Sequence, residues 1–122
     1  MLLMDSRSEA APITLVLTTE ADRERAEALA SALVERRLAA CVSLMPIRSC
    51  YRWNGEVERA EEVQLLIKTS PEGLVPLRQA LDTLHSYDTP ECLHWTASAS
   101  AAYGGWLREA LAPQVLPHQR LE

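Results

Sequence analysis

Apolar and polar residues recur with two different periods along this chain, and each change of period marks an element. Ile13-Thr14-Leu15-Val16-Leu17, bounded by Pro12 and Thr18-Thr19, is a short run rich in branched residues and predicts a buried strand. Helical spacing follows. Ala26, Leu29, Ala30, Leu33, Val34 and Arg37 fall on one face, with Arg23, Glu24, Glu27, Ser31 and Glu35 opposite. Thr19 with Asp22 three residues later predicts the N-terminal cap. The stripe describes an amphipathic helix of about four turns lying on a sheet.

The stretch from Ala39 to Ser70 returns to a period of two. Asn54-Gly55 is the strongest two-residue hairpin signal, because both positions tolerate positive φ. A type I′ turn there pairs Trp53 with Glu56. Counting back without slippage sets Arg48 opposite Glu61, Leu44 opposite Leu65 and Val42 opposite Ile67. Pro46 donates no ladder hydrogen bond, so it marks an edge position or a bulge at which the register can slip.

The two faces of this hairpin exchange character along its length. Near the base, Ala40, Val42, Leu44, Val63, Leu65 and Ile67 make one face wholly apolar; towards the tip that face becomes Arg48, Cys50, Arg52, Arg59 and Glu61. The opposite face turns instead to Ile47, Tyr51, Trp53 and Ala60. Each arm of about 14 residues spans roughly 45 Å. A domain of this size has a diameter of roughly 35 Å. The hairpin therefore projects past its own domain, and a lone two-stranded ribbon is marginal in water. A partner subunit is the economical solution. Tyr51 and Trp53 are accordingly assigned to subunit packing ahead of a ligand platform.

After Lys68-Thr69 the helical period resumes. Ser70-Pro71 predicts a cap and a first-turn proline, and Leu74, Leu77, Leu81 and Leu84 share a face. Pro76 would break a helix begun at Pro71, so a short turn precedes a helix starting near Pro76. Ser86–Pro90 reads as a loop and Glu91–Ala97 as a fourth strand. Tyr103, Trp106, Leu107, Ala110 and Leu111 form a last helical stripe, weakened by Gly104-Gly105 and ended by Pro113 and Pro117. The order strand, helix, strand, strand, helix, strand, helix predicts an α+β, ferredoxin-like split βαβ sandwich with a long protruding β-hairpin and a C-terminal helix. Helices would cover one face of an antiparallel sheet. The other would stay apolar at Met45 and Leu66 unless subunits cover it. Residues 1–12 read as a flexible leader, 13–112 as the domain and 113–122 as a loose tail.

Composition narrows the function classes. A net charge of −5 over 122 residues argues against general nucleic-acid binding, which needs a clustered basic face. No run approaches the roughly 18 apolar residues of a membrane span. The first twelve residues do not form a secretory signal. Three widely spaced cysteines make no disulfide framework, which points to a reduced, cytoplasmic setting. Phosphate-binding glycine loops and nucleophile signatures are missing, so an enzyme is the least favoured class.

Candidate chemistry concentrates in His85-Ser86-Tyr87-Asp88-Thr89-Pro90-Glu91-Cys92-Leu93-His94. Histidine, thiolate and carboxylate together suit a copper or zinc ion. In a strand, Cys92 and His94 project to one side and Glu91 to the other. The bland alternatives are that His85 caps a helix terminus and that Glu91 accepts a hydrogen bond. Lys68, at a strand end, would pair with a carboxylate or else bind an anion.

Several segments also carry a family resemblance. Leu38-Ala39-Ala40-Cys41-Val42 resembles the R/K-L-A-A-C-V segment of the CutA divalent-cation tolerance proteins, and Ser49 to Gly55 resembles their S-x-Y-x-W-x-G hairpin. Glu62-Val63 through Lys68-Thr69 is similar to their E-V-x-L-x-x-K-T strand. His85-x-Tyr87-x-x-Pro90-Glu91 is similar to their H-P-Y-x-x-P-E loop, and Tyr103-x-x-Trp106 to their closing Y-x-x-W. The resemblance implies a ferredoxin-like homotrimer with hairpins reaching across subunits, and an association with copper or other divalent metals. Copper binding in bacterial relatives is attributed to a first-strand cysteine, the loop histidine and the following glutamate. The last two carry over to His85 and Glu91, whereas Leu17 or Thr18 stands at the cysteine's place and Ser86 at the loop proline's. Two readings follow. One is a non-enzymatic trimeric divalent-cation (Cu²⁺) protein using His85 and Glu91. The other is a PII-like sensor of a small anion or metabolite, with Lys68, Tyr51, Trp53 and Tyr87 at an intersubunit cleft.

Overall fold

A computed structural model of the chain describes residues 11–113. The architecture is mixed α+β. Strand β1 (Ala11–Glu20) leads to helix α1 (Arg23–Glu35) and the hairpin strands β2 (Cys41–Trp53) and β3 (Glu56–Thr69). A 3₁₀ turn (Pro71–Gly73) precedes α2 (Leu74–Leu84), followed by β4 (Leu93–Ala99) and α3 (Ala101–Leu111). The four strands form one antiparallel sheet in the order β2-β3-β1-β4. No helix among the described residues is long and apolar enough to cross a membrane.

The hairpin keeps the register counted from its turn. Asn54 and Gly55 have φ of 51° and 79°, as a type I′ turn requires. The ladder runs without a break from Trp53↔Glu56 through Arg48↔Glu61 to Cys41↔Lys68, passing Pro46↔Val63 without a slip. Pro46 is tolerated because β2 is an edge strand, with one row of backbone groups already facing away from the ladder.

Val16, Leu65 and Ile67 meet Ala26, Leu29 and Leu33 of α1 and Leu77 and Leu81 of α2 in the main core. This is the hairpin's apolar base face, and α1 and α2 cover it as their stripes predict. The third helix corrects the expectation that all helices share one face. Leu107 packs with Ile13 and Ala99, and partly buried Leu15 and Ala97 complete a second cluster on the other side of the sheet. The reason lies in β1, where alternate residues are apolar on both faces, so each face can seat a helix. Gly104 permits the close approach: a Cβ there would lie 3.1 Å from the Ala11 Cβ.

Other boundaries shift for local reasons. β1 extends to Glu20 because Thr18, Thr19 and Glu20 continue the ladder against Leu65, Gln64 and Val63. It also starts at Ala11, paired with Ala99, so Ala11 and Pro12 belong to the sheet and not to a leader. Asp22 alone caps α1, its carboxylate accepting from the Arg25 backbone N–H at 2.8 Å. Arg37 lies outside the helical stripe, beyond the end of α1, with a left-handed φ of 59°. Its guanidinium donates to the Ala110 carbonyl at 2.9 Å, which ties the end of α1 to the last turn of α3. α2 begins at Leu74, which leaves Pro76 in the first turn where no backbone donor is needed. β4 starts at Leu93, two residues later than expected, because Glu91 belongs to the loop. The expected leader's first ten residues and the tail beyond Pro113 lie outside the described residues.

The face opposite α1 and α2 is only partly covered by α3. Leu93, Leu17 and Leu66 lie side by side across β4, β1 and β3. Met45, Leu93, Trp95, Tyr51 and Trp53 remain exposed on this face, Trp53 at 61%.

Candidate functional site

The chain leaves α2 through His85, whose backbone N–H caps the helix on the Leu81 carbonyl. The imidazole is turned inward with its side chain 1% exposed. Nδ1 accepts from the Tyr87 backbone N–H at 3.0 Å, which assigns the ring proton to Nε2, donating to Thr18 Oγ1 at 3.1 Å. Both ring nitrogens are therefore engaged within the chain.

Beside this ring lies Glu20, also 1% exposed. Its carboxylate accepts from the Ser86 backbone N–H at 3.0 Å, from Ser86 Oγ at 2.5 Å and from the Ala21 N–H at 3.2 Å. Glu20 Oε2 stands 3.5 Å from His85 Nδ1. Thus the end of β1 and the start of the loop are held together by hydrogen bonds spanning more than sixty positions of sequence.

Past Ser86 the loop turns to the other face of the sheet. Tyr87 donates its hydroxyl to Glu62 Oε2 at 2.7 Å, and Thr19 donates to Glu91 Oε1 at 2.7 Å. Burial raises the Tyr87 phenol well above its ordinary value, and the hydrogen bond to the Glu62 carboxylate and the negative charge of Glu62 add to the shift. The native state thus holds the phenol proton more tightly than the unfolded chain does. That stability is fully present below about pH 10 and falls as pH rises past it. Tyr87→Phe is expected to flatten the alkaline decline of urea midpoints; equal declines in both proteins would exclude this coupling.

These groups border an open cleft of about 810 Å³. Ile47, Tyr51 and Trp53 come from β2, Glu62 from β3, and Tyr87, Asp88 and Glu91 from the loop. Three carboxylates line it and no Lys or Arg does. Glu62 Oε1 and Glu91 Oε2 have no hydrogen-bond partner among the described residues. A second concavity of about 640 Å³, near the start of α1, mixes Arg23 and Arg48 with Asp22, Glu61 and Glu62 and so presents no single sign of charge.

Tyr87 and Glu91 line the cleft with Tyr51 and Trp53 of the hairpin, whereas His85 lies on the core side of β1, bonded to Thr18, and does not line it. Lys68 is six residues along β3 from Glu62, roughly 20 Å away. It donates to Ser43 Oγ at 3.0 Å and lies 3.7 Å from Cys41 Sγ, with neither a carboxylate nor the cleft as its partner. Cys92 packs partly against the main core, while His94 is exposed. Among the described residues, no group of three His, Cys, Asp or Glu side chains converges as a metal cluster would. Sequence reasoning missed Glu20, Thr18 and Thr19, whose only signal was that a polar triplet ends an apolar strand.

Comparison with known proteins extends this picture. The family model described as CutA1 divalent ion tolerance protein matches residues 14–110. The solved structure of CutA from Synechococcus elongatus is 48% identical, superposes with a TM-score of 0.82, and covers 85% of this chain and 94% of its own. Divalent-cation tolerance protein CutA from Thermus thermophilus is 42% identical over 97 residues, 78% of this chain and 94% of that protein. The CutA of Pectobacterium atrosepticum is likewise 42% identical, over 99 residues, 80% of this chain and 90% of that protein. With a family model matching residues 14–110, most of the described chain, and a shared fold at such identity, the chain belongs to the CutA1 divalent ion tolerance family.

Proposed function

We propose that this chain is a non-enzymatic, homotrimeric divalent-cation-binding protein with a ferredoxin-like core, Cu²⁺ being the first candidate ion. The observation that carries the reading is the sign of the cleft: three carboxylates and no basic side chain. Such a lining attracts a divalent cation and repels an anion, which favours the cation over a PII-like anion sensor. The distance of Lys68 from the cleft supports the same choice. Glu91 offers the ready donor through Oε2, and Glu62 Oε1 offers a second hard oxygen. His85 would add nitrogen, the softer ligand that copper prefers, only if the loop opened, because its ring is buried on the core side and does not line the cleft. Water completes the shell.

Assembly rests on the exposed apolar face and on a hairpin whose strands of 13 and 14 residues reach roughly 45 Å. Calorimetric titration of the full chain with Cu²⁺ tests the ion. Glu91→Gln is expected to weaken binding by at least about tenfold, and His85→Ala to weaken it as well. No heat with the unsubstituted protein would sink the cation reading.

A further inference from the structure

We propose that Glu20 is the positioning residue of this cleft, acting through Ser86 to hold the loop that carries Tyr87 and Glu91. The inference rests on the cation reading of the cleft and adds a residue that touches no cation itself.

The physical case begins with burial. A carboxylate taken out of water is costly unless donors surround it, and Glu20 is 1% exposed on the core face of β1, opposite Val63. An apolar side chain would satisfy the packing there. The carboxylate instead takes both donors of one loop residue, the backbone N–H and the hydroxyl of Ser86. Two bonds to one residue fix its orientation as well as its distance, which a single bond does not. On either side of Ser86 the loop is pinned again: His85 through Thr18, and Tyr87 through the His85 ring.

From there the chain delivers the Tyr87 hydroxyl to Glu62 and Glu91 to Thr19. Thr18, Thr19 and Glu20 are consecutive in β1, so alternate side chains serve the two sides. Thr18 and Glu20 anchor the loop from the core, and Thr19 receives Glu91 on the cleft. One strand end sets both the anchor and the site, and a shift of the loop at Ser86 would displace Glu91 and Tyr87 within the cleft that Glu62 also lines. Outer groups that orient metal ligands are worth roughly ten- to a hundredfold in affinity.

The test uses the full chain and two readouts. Amide hydrogen exchange is followed across residues 85–91 and across β3, and Cu²⁺ affinity is measured by calorimetry, for Glu20→Gln, Glu20→Ala and Ser86→Ala. In Glu20→Ala the loop amides are expected to exchange at least about tenfold faster while β3 stays protected, with Cu²⁺ affinity falling about tenfold. Glu20→Gln, which keeps one acceptor oxygen, is expected to recover part of both effects. Ser86→Ala removes only the hydroxyl donor and leaves the core carboxylate in place, so it reports even where Glu20→Ala fails to fold. Loop protection unchanged in all three variants, or lost in step with β3, overturns the proposal. Selective loosening of the loop in a protein that never binds Cu²⁺ upholds the anchor and places the failure on the cation reading.

Discussion

Trp53→Asp is expected to leave the single-chain fold intact and to dissociate the proposed homotrimer at micromolar concentration. Trp53 is 61% exposed and belongs to neither core cluster, so the sheet and helices do not depend on it. Its partner across the ladder is Glu56, next to the turn. In the proposed homotrimer a large indole on a projecting ribbon buries against a neighbouring copy, and Trp is among the residues that dominate interface energetics. Aspartate there loses the apolar area and also carries an unpaired charge into the contact, a cost of several kcal/mol. At about 1.4 kcal/mol per tenfold, a penalty of about 4 kcal/mol raises the dissociation constant about a thousandfold. Sedimentation velocity reads the mass and circular dichroism the fold. An unchanged assembly mass would show that the hairpin tip makes no intersubunit contact, and a monomeric unsubstituted protein would remove the assembly reading altogether.

Leu65→Ala is expected to cause the larger loss of folding stability. Leu65 is fully buried, paired with Leu44 on one side and Thr18 on the other, in the cluster that joins the sheet to α1 and α2. Neighbours on two strands and two helices restrict collapse into the vacated space. Truncation then costs the lost transfer energy plus a cavity, about 2–5 kcal/mol. That is a large share of the roughly 5–15 kcal/mol that holds a small domain folded. With a urea slope of about 1–3 kcal/mol per molar, the midpoint falls by about 1–2 M. A fall below a few tenths molar would mean that Leu65 does not lie at the centre of the packing.

The hairpin shows how far local chemistry reaches. Asn54-Gly55 supports positive φ at two successive positions, and that turn leaves a single pairing for every residue behind it. Arg48 opposite Glu61 and Leu44 opposite Leu65 follow by counting. The stripes of α1 and α2 were equally legible, since Leu29, Leu33, Leu77 and Leu81 recur with the helical period and are all buried. Histidine and carboxylate flanking a proline loop single out His85 and Glu91; in the structure Glu91 and Tyr87 line the cleft, while His85 faces the core through Thr18. By contrast, Lys68 shared a plausible neighbourhood in sequence but sits at the far end of its strand.

The hydrophobic periods, turn residues and caps of this chain determine its elements, the hairpin register and the apolar face that assembly would cover, because each depends on neighbours within a few positions. Only the tertiary structure decides that α3 crosses to the other face, that Glu20 is buried beneath Ser86, and that Tyr87 bonds Glu62 and Thr19 bonds Glu91 at one cleft. Those contacts join residues 25 to 96 positions apart. No local preference encodes such a pairing. It arises when sheet and helices dock and buried polar groups such as Glu20 and His85 take the donors and acceptors that docking brings to them.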